Sequence, residues 1–309
     1  MAVFQRSETH VHHATVRDSL GVKTTPTTIK DTIYDPCGKI LLRSAAMTPS
    51  ATGEYYYNYP IVSTATYGRY ISEVTVTDAS GSITKDRLEF FVMPWDAVID
   101  VRTSMGVESD SKSITDDVIS HVLWSSYQYV PSDVFIHHYQ EQPNGNPYTG
   151  ALWDDRNTSF QSGTHPLADY NGDGTVSGSG VSCATDIFCT WLNLQGALQT
   201  GYVNVTNATN GEIALKQSNG TTPLPSSAIA VYLEYWEKPP GFTDTLFRQA
   251  VVYLACHKLS KRFTSVDKIT IADLQKNNPV IILNPRIWWD EYQLVLRRMR
   301  GPSFGGVLG

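Results

Sequence analysis

Tyr67-Gly68-Arg69-Tyr70-Ile71-Ser72-Glu73-Val74-Thr75-Val76-Thr77-Asp78-Ala79-Ser80-Gly81 is the stretch that decides the fold of the first part of this chain. Alternate side chains of a β-strand point to opposite faces. Tyr70, Ser72, Val74 and Val76 therefore share one face, and Ile71, Glu73, Thr75 and Thr77 share the other. The first set carries an aromatic ring and both valines, so it is the buried one. Asp78-Ala79-Ser80-Gly81 supplies the side-chain acceptor and the glycine of a hairpin turn. Beyond it Leu88, Phe90 and Val92 alternate with Glu89 and Phe91.

The same alternation extends upstream. Asp35-Pro36-Cys37-Gly38 reads as a turn and Lys39 to Met47 as a strand, and Gly53 opens a run in which Tyr55, Tyr57 and Tyr59 point one way. Turns recurring at this spacing predict a two-sheet β-sandwich. We assign it to residues 14–94, with 1–13 as a flexible N-terminal arm. His10, His12 and His13 on that arm would need further ligands on a rigid frame before they could hold a metal, and a solvated arm is the plainer expectation. The Gly-x-Tyr, Tyr-Gly-x-Tyr and Asp-x-Ser-Gly series resembles the immunoglobulin-like modules appended to secreted and virion proteins. That resemblance implies a fold and not a function.

At 309 residues the chain has room for more than one domain. Charged residues make up 17% of it and the formal net charge is −6, which argues against a surface built to wrap nucleic acid. No apolar run reaches the length of a membrane span, and Met1 to Thr15 has no apolar core like that of a signal peptide. A cytoplasmic start is therefore expected. Cys37, Cys183, Cys189 and Cys256 are too scattered for a disulfide framework; mostly reduced thiols are expected, with Cys183 and Cys189 the one local pair.

After Pro94-Trp95 the character changes. Ala97 to Arg102 reads as a short strand-like piece inside a linker, 95–112. Thr115-Asp116-Asp117 then starts a helix with a capping hydroxyl and first-turn acids, and Pro131 is expected to stop it. From about 140 to 238 Gly, Asn, Pro and Thr surround short alternating runs such as Glu212 to Lys216 and Ala228 to Trp236, a β-rich insertion with long loops. Helix returns from Thr243 to Arg262, where Leu246, Ala250 and Leu254 flank Phe247 and Val251. The last helix is capped by Asn284 and Pro285. It places Trp288, Tyr292, Val295 and Met299 on one face and ends at Gly301-Pro302. A tail, 301–309, carries Phe304, Val307 and Leu308. The fold class expected is multi-domain: an all-β immunoglobulin-like sandwich, then an α+β domain (113–309) with a small helix bundle and the β-rich insertion.

Candidate chemistry is sparse. Asp169-Tyr170-Asn171-Gly172-Asp173-Gly174-Thr175 matches the first half of a calcium loop, with Asp169, Asn171, Asp173 and Thr175 as ligands. Position twelve is Gly180 where an acid is needed, and Asp186 could serve only if the chain folds back. An Asx-rich surface turn is the competing reading. The pair Asp154-Asp155 beside Trp153 could in principle cleave a glycosidic bond, but adjacency does not fix the separation that chemistry needs. No nucleophile elbow, zincin motif, phosphate loop or paired Cys-x-x-Cys occurs. We expect no enzyme, and no cofactor beyond the calcium this loop could take.

Several elements together resemble the head-to-tail adaptor proteins of tailed viruses. They are the helix initiated by Thr115-Asp116-Asp117, the strand ending Tyr235-Trp236-Glu237-Lys238-Pro239-Pro240, the helix with Tyr253-Leu254-Ala255-Cys256 at its centre, and the basic terminal helix. The resemblance implies a structural virion protein that forms a ring, commonly of twelve subunits. Its implied partners are itself, a portal protein, a downstream neck or tail protein, and viral DNA passing through without being read. It places the protein in the virion neck, and in the host cytoplasm during assembly. Trp288, Trp289, Tyr292, Arg297, Arg298, Phe304, Val307 and Leu308 would form the subunit or portal interface. A carbohydrate-binding or adhesive surface protein, or another tail or neck subunit, is the alternative.

Overall fold

The computed structural model describes residues 2–107, 111, 114–141, 159–161, 166–178, 185–222, 230–265 and 284–301. It is mostly β-sheet with a few helices. The chain divides into two compact units, residues 1–125 with 255–285, and residues 126–254 with 286–309.

Among its described residues the first unit contains eight strands: β1 (Ala2–Phe4), β2 (Thr9–Thr15), β3 (Thr28–Tyr34), β4 (Ile40–Ala46), β5 (Thr48–Ala51), β6 (Glu54–Pro60), β7 (Gly68–Thr77) and β8 (Ile83–Val92). They form a five-stranded sheet in the order β1-β8-β7-β3-β4 and a three-stranded sheet in the order β2-β6-β5. This two-sheet order is consistent with an immunoglobulin-like sandwich. Tyr70, Ser72 and Val74 of β7 are buried as the alternation required. Tyr70 packs with Ile33, Ile61, Phe90 and Val92, and Val74 with Ile29, Met47 and Tyr55. The Tyr70 hydroxyl donates to the Thr66 carbonyl at 2.8 Å, pinning the corner that leads into β7. At the β7–β8 hairpin Asp78 Oδ1 accepts from Ser80 N and Ser82 N, and Gly81 takes the left-handed conformation (φ 81°).

Two expectations for this region are corrected. Residues 1–13 are not a flexible arm. Ala2–Phe4 pairs in parallel with Phe90–Val92, and Thr9–Thr15 pairs with β6, so His10 and His12 face the interior at 9% and 1% exposure. Nor is 95–112 a linker with a strand-like piece, because Ala97–Met105 is helix α1. Asp96 Oδ1 caps it by accepting from Ile99 N, Gly106 ends it in the left-handed region, and Ala97, Val101 and Met105 form its buried stripe. A spacing of four is the helical repeat, which outweighed the β-branched residues at 98, 99 and 101.

Helix α2 (Asp116–Val134) continues through Pro131 instead of stopping before it. The proline falls in the last turn, where one lost backbone bond is tolerated, and Phe135 N still donates to the Pro131 carbonyl at 2.9 Å. The second unit holds the strands β9 (Ile136–Glu141), β10 (Ser159–Gln161), β11 (Phe188–Leu192), β12 (Leu198–Asn207), β13 (Glu212–Gln217) and β14 (Ala230–Glu237). They make one six-stranded sheet in the order β10-β13-β12-β11-β14-β9. Its inward side chains Cys189, Val203, Ile213, Leu215, Val231, Leu233 and Tyr235 cluster with Leu167 and Ile187. Helices α3 (Asp244–Ser265) and α4 (Pro285–Arg300) follow. No helix among the described residues is long and apolar enough to cross a membrane.

One of the described thiols departs from the expectation of reduced cysteines. Cys37 is disulfide-bonded. Cys189 and Cys256 are buried free thiols, in line with the expectation, and Cys189 is therefore not paired with Cys183. Burial pushes the Cys189 thiol up to about 12, which leaves it unreactive. Cys183 lies outside the described residues.

Candidate functional site

The Asp169 segment is organised by its own side chains. Asp169 Oδ1 accepts from Gly172 N at 2.8 Å and Asp173 N at 3.1 Å, and its Oδ2 accepts from Gly174 N at 2.7 Å. Asn171 Oδ1 accepts from Asp173 N and Asp173 Oδ1 from Thr175 N. Gly172 is required here. Its φ is +73°, a Cβ would lie 2.7 Å from the Tyr127 ring, and its carbonyl accepts the Tyr127 hydroxyl at 3.0 Å. The chain does fold back, placing Asp186 beneath the loop. Asp186 Oδ1 accepts from Tyr170 N and Asn171 N, and Oδ2 accepts from Ser177 N at 2.9 Å.

Asp186 is fully buried. Burial pushes its carboxyl up to about 7, and the nearby Asp169 and Asp173 carboxylates add to the rise. Asp169 is raised as well, again chiefly by burial, against the lowering effect of its backbone donors. Clustered, partly desolvated oxygens of this kind suit a hard divalent cation. Their lone pairs are nonetheless directed at backbone N–H groups, and among the described residues no three His, Cys, Asp or Glu side chains already converge as ligands. Thr175 is exposed. As built, the segment is an Asx-rich turn keyed by Asp186, and a cation would have to draw Asp173 and Asp186 in beside Asp169.

A second polar cluster lies inside the sandwich, where the sequence placed an arm. His12 Nδ1 is 2.9 Å from Asp31 Oδ2 and 2.5 Å from Ser72 Oγ, and Ser72 donates to Asp31 Oδ1 at 2.7 Å. All three residues are buried. Their composition is that of a hydrolytic triad but their geometry is not, because Ser72 and Asp31 meet the same imidazole nitrogen and His12 is not interposed between them. Beside them His10 has, among the described residues, no hydrogen-bond partner for either ring nitrogen. It stacks on Phe90 at 4.2 Å and contacts Phe4 edge-on at 4.9 Å. The signal was present in the sequence as the alternation His10, His12, Ala14, hidden by the absence of a large aliphatic residue on that face.

The third candidate is helix α4. Its inner face is Trp288, Tyr292, Val295, Leu296 and Met299. The Tyr292 hydroxyl donates to Asp133 Oδ2 at 2.7 Å, Arg300 Nη2 donates to the Asp133 carbonyl, and Trp288 meets Tyr253. Gly241 N donates to the Met299 carbonyl at 3.0 Å. Trp288 and Tyr292 are therefore core residues and not interface residues, which corrects that part of the expected set. Trp289 (39% exposed), Leu294, Arg297 and Arg298 lie on the outer face. Phe304, Val307 and Leu308 lie outside the described residues, as do Asp154 and Asp155.

Aromatic residues of the six-stranded sheet include the exposed Tyr139 and Phe188 as well as the ring cluster around Trp236. Tyr170 and His137 both stack on Trp236, at 4.1 Å and 4.8 Å between centroids and within 16° of parallel. Asp116, in the first turn of α2, accepts from Arg102 Nε at 2.9 Å and Nη2 at 2.6 Å.

No family model matches the chain, and no curated protein matches it. Among solved structures it is similar to CopC from Methylosinus trichosporium OB3b, at 22% identity and TM-score 0.19 over 23% of this chain and 66% of that one. It is also similar to a tetra-tandem repeat from the extending region of a large adhesion protein, at 12% identity and TM-score 0.24 over 69% and 42%. Escherichia coli alpha-2-macroglobulin activated by porcine elastase gives 13% identity and TM-score 0.26 over 76% and 19%. The chain thus spans less than two thirds of each of these proteins, and superpositions this weak carry no functional argument.

Proposed function

We propose that this chain is a non-catalytic structural subunit of a tailed-virus neck, a ring-forming adaptor between portal and tail with an immunoglobulin-like module. The observation that carries the reading is the two-faced terminal helix. One side of α4 locks into its own unit through Trp288, Tyr292 and Met299, while the other presents Trp289, Leu294, Arg297 and Arg298. Trp and Arg exposed around an apolar centre have the composition of a protein contact. The adaptor-like order of elements in the sequence supports the same assignment. The immediate partners are then other copies of the chain, the portal and the next neck protein, and the particle is its location.

Light scattering and negative-stain imaging, with and without a chelator, test this. Rings of many subunits are expected, alone or on the purified portal. A Trp289→Ala/Arg297→Ala double variant should keep its far-ultraviolet circular dichroism and lose retention on immobilised portal. Undiminished retention would remove α4 from the interface, and a strict monomer that never joins a portal would overturn the adaptor reading.

A further inference from the structure

The sandwich is closed along only part of one side. Strand β1 covers the edge of β8 at Phe90–Val92 and no further. Where it does, the inward side chains Phe90 and Val92 are 1% and 0% exposed; two residues beyond its end Leu88, which points the same way, is 43% exposed. Inward-facing Thr84 and Asp86 are exposed too. Across the gap β2 is the last strand of the three-stranded sheet, so among the described residues its outer edge has no paired strand. Between the two edges runs a groove of about 1070 Å³, lined by Ala14 and Val16 on one side, by Val74 and Val76 at its floor, and by Asp86 and Leu88 on the other. Unpaired strand edges flanking an apolar floor are the geometry into which an extended segment adds as a further strand.

We propose that this groove receives an extended segment of a partner polypeptide, running along β8 in continuation of β1, with apolar side chains turned inward around a Lys or Arg. The charge follows from the lining. Of the basic residues that line the groove, Lys85 binds Glu73 at 2.7 Å on the other face of β8, where Arg87 also binds it at 2.8 Å, and Arg17 donates to the Gly21 carbonyl at 2.8 Å. Asp78 and Asp18 at the groove's end are occupied in capping their own turns. Asp86 is the inward acid, and its Oδ1 meets only the backbone N of Arg87; among the described residues it forms no ion pair. An incoming cation flanked by valine-sized residues meets Asp86 between Leu88 and Thr84. This inference does not depend on the neck assignment.

The probe is a blocked peptide of the length of β2, 7 residues, with Val, Lys and Val at alternate positions between threonines. A second peptide carries Asp in place of Lys. Hydrogen exchange of the full chain is followed by mass spectrometry. The Lys peptide should slow exchange in β2 and in Ile83–Leu88. The Asp86→Lys variant, altered at an exposed position, should lose at least tenfold in affinity for the Lys peptide and gain affinity for the Asp peptide. The proposal is overturned by unchanged exchange in both strands, by both peptides binding both proteins equally, or by protection that rises with protein concentration alone, which would make the occupant a second copy of this chain.

Discussion

His10 is an imidazole enclosed by Phe4, Phe90 and His12 with no hydrogen-bond partner among the described residues. Burial, reinforced by His12, depresses it from 6.5 to about 4. Between those values the unfolded chain binds a proton that the folded chain refuses, so stability rises with pH there. The contribution of neutral His10 is complete above about pH 6.5 and is lost as pH falls towards 4, amounting to about 3 kcal/mol at 1.36 kcal/mol per pH unit. Urea unfolding from pH 7.5 to 4.5 should therefore show a steeper loss in the native chain than in His10→Phe. Equal slopes would mean that the ring is solvated. Asp186 is the corresponding residue in the second unit. Asp186→Ala leaves the N–H groups of Tyr170, Asn171 and Ser177 without their acceptor, and we expect a loss of about 2–4 kcal/mol, read as a lower urea midpoint.

At the scale of elements, α4 is held by a few specific contacts as well as by its apolar face. A Cβ on residue 241 would lie 2.4 Å from the Arg298 carbonyl oxygen and 2.8 Å from that of Met299. Both are backbone atoms at the end of a helix and cannot swing aside. Gly241→Ala should thus cost more than about 2 kcal/mol and be visible as faster exchange in Pro285–Arg300. Tyr292→Phe is milder: it removes one donor from the Asp133 carboxylate, for about 1–2 kcal/mol, with no change in helix content. Were Gly241→Ala as stable as the native chain, the turn 239–241 would not be what positions α4.

Over the whole molecule the division of the chain into two units, each assembled from non-contiguous segments, was not what a reading along the sequence expected. That reading placed one boundary near residues 95–112. Local periodicity identifies a helix such as α2 or α3, but not the unit to which each of its halves contributes. The two units also rest on different chemistry, so His10→Phe and Asp186→Ala should act on separate unfolding transitions, and acid from pH 7 to 4.5 should weaken the first through His10 while favouring the second through Asp186, whose carboxyl is raised to about 7. A single transition shifted equally by both changes would mean that the units unfold as one.

What the sequence determined by itself was the local grammar. The β7 alternation, the Asp78–Gly81 and Asp35–Gly38 turns and the amphipathic α4 are dictated by side-chain period and by residues able to cap or to take positive φ, interactions that span only a few positions. What the tertiary structure decided was every pairing between distant segments. It made Thr9–Thr15 a strand with two buried histidines, brought Asp186 under the Asp169 loop, turned Trp288 and Tyr292 inward and Trp289 outward, and left β2 and β8 unjoined. Those outcomes depend on which surfaces meet across long loops. Hydrogen bonds and burial between residues 15 to 159 positions apart leave no periodic trace in the sequence.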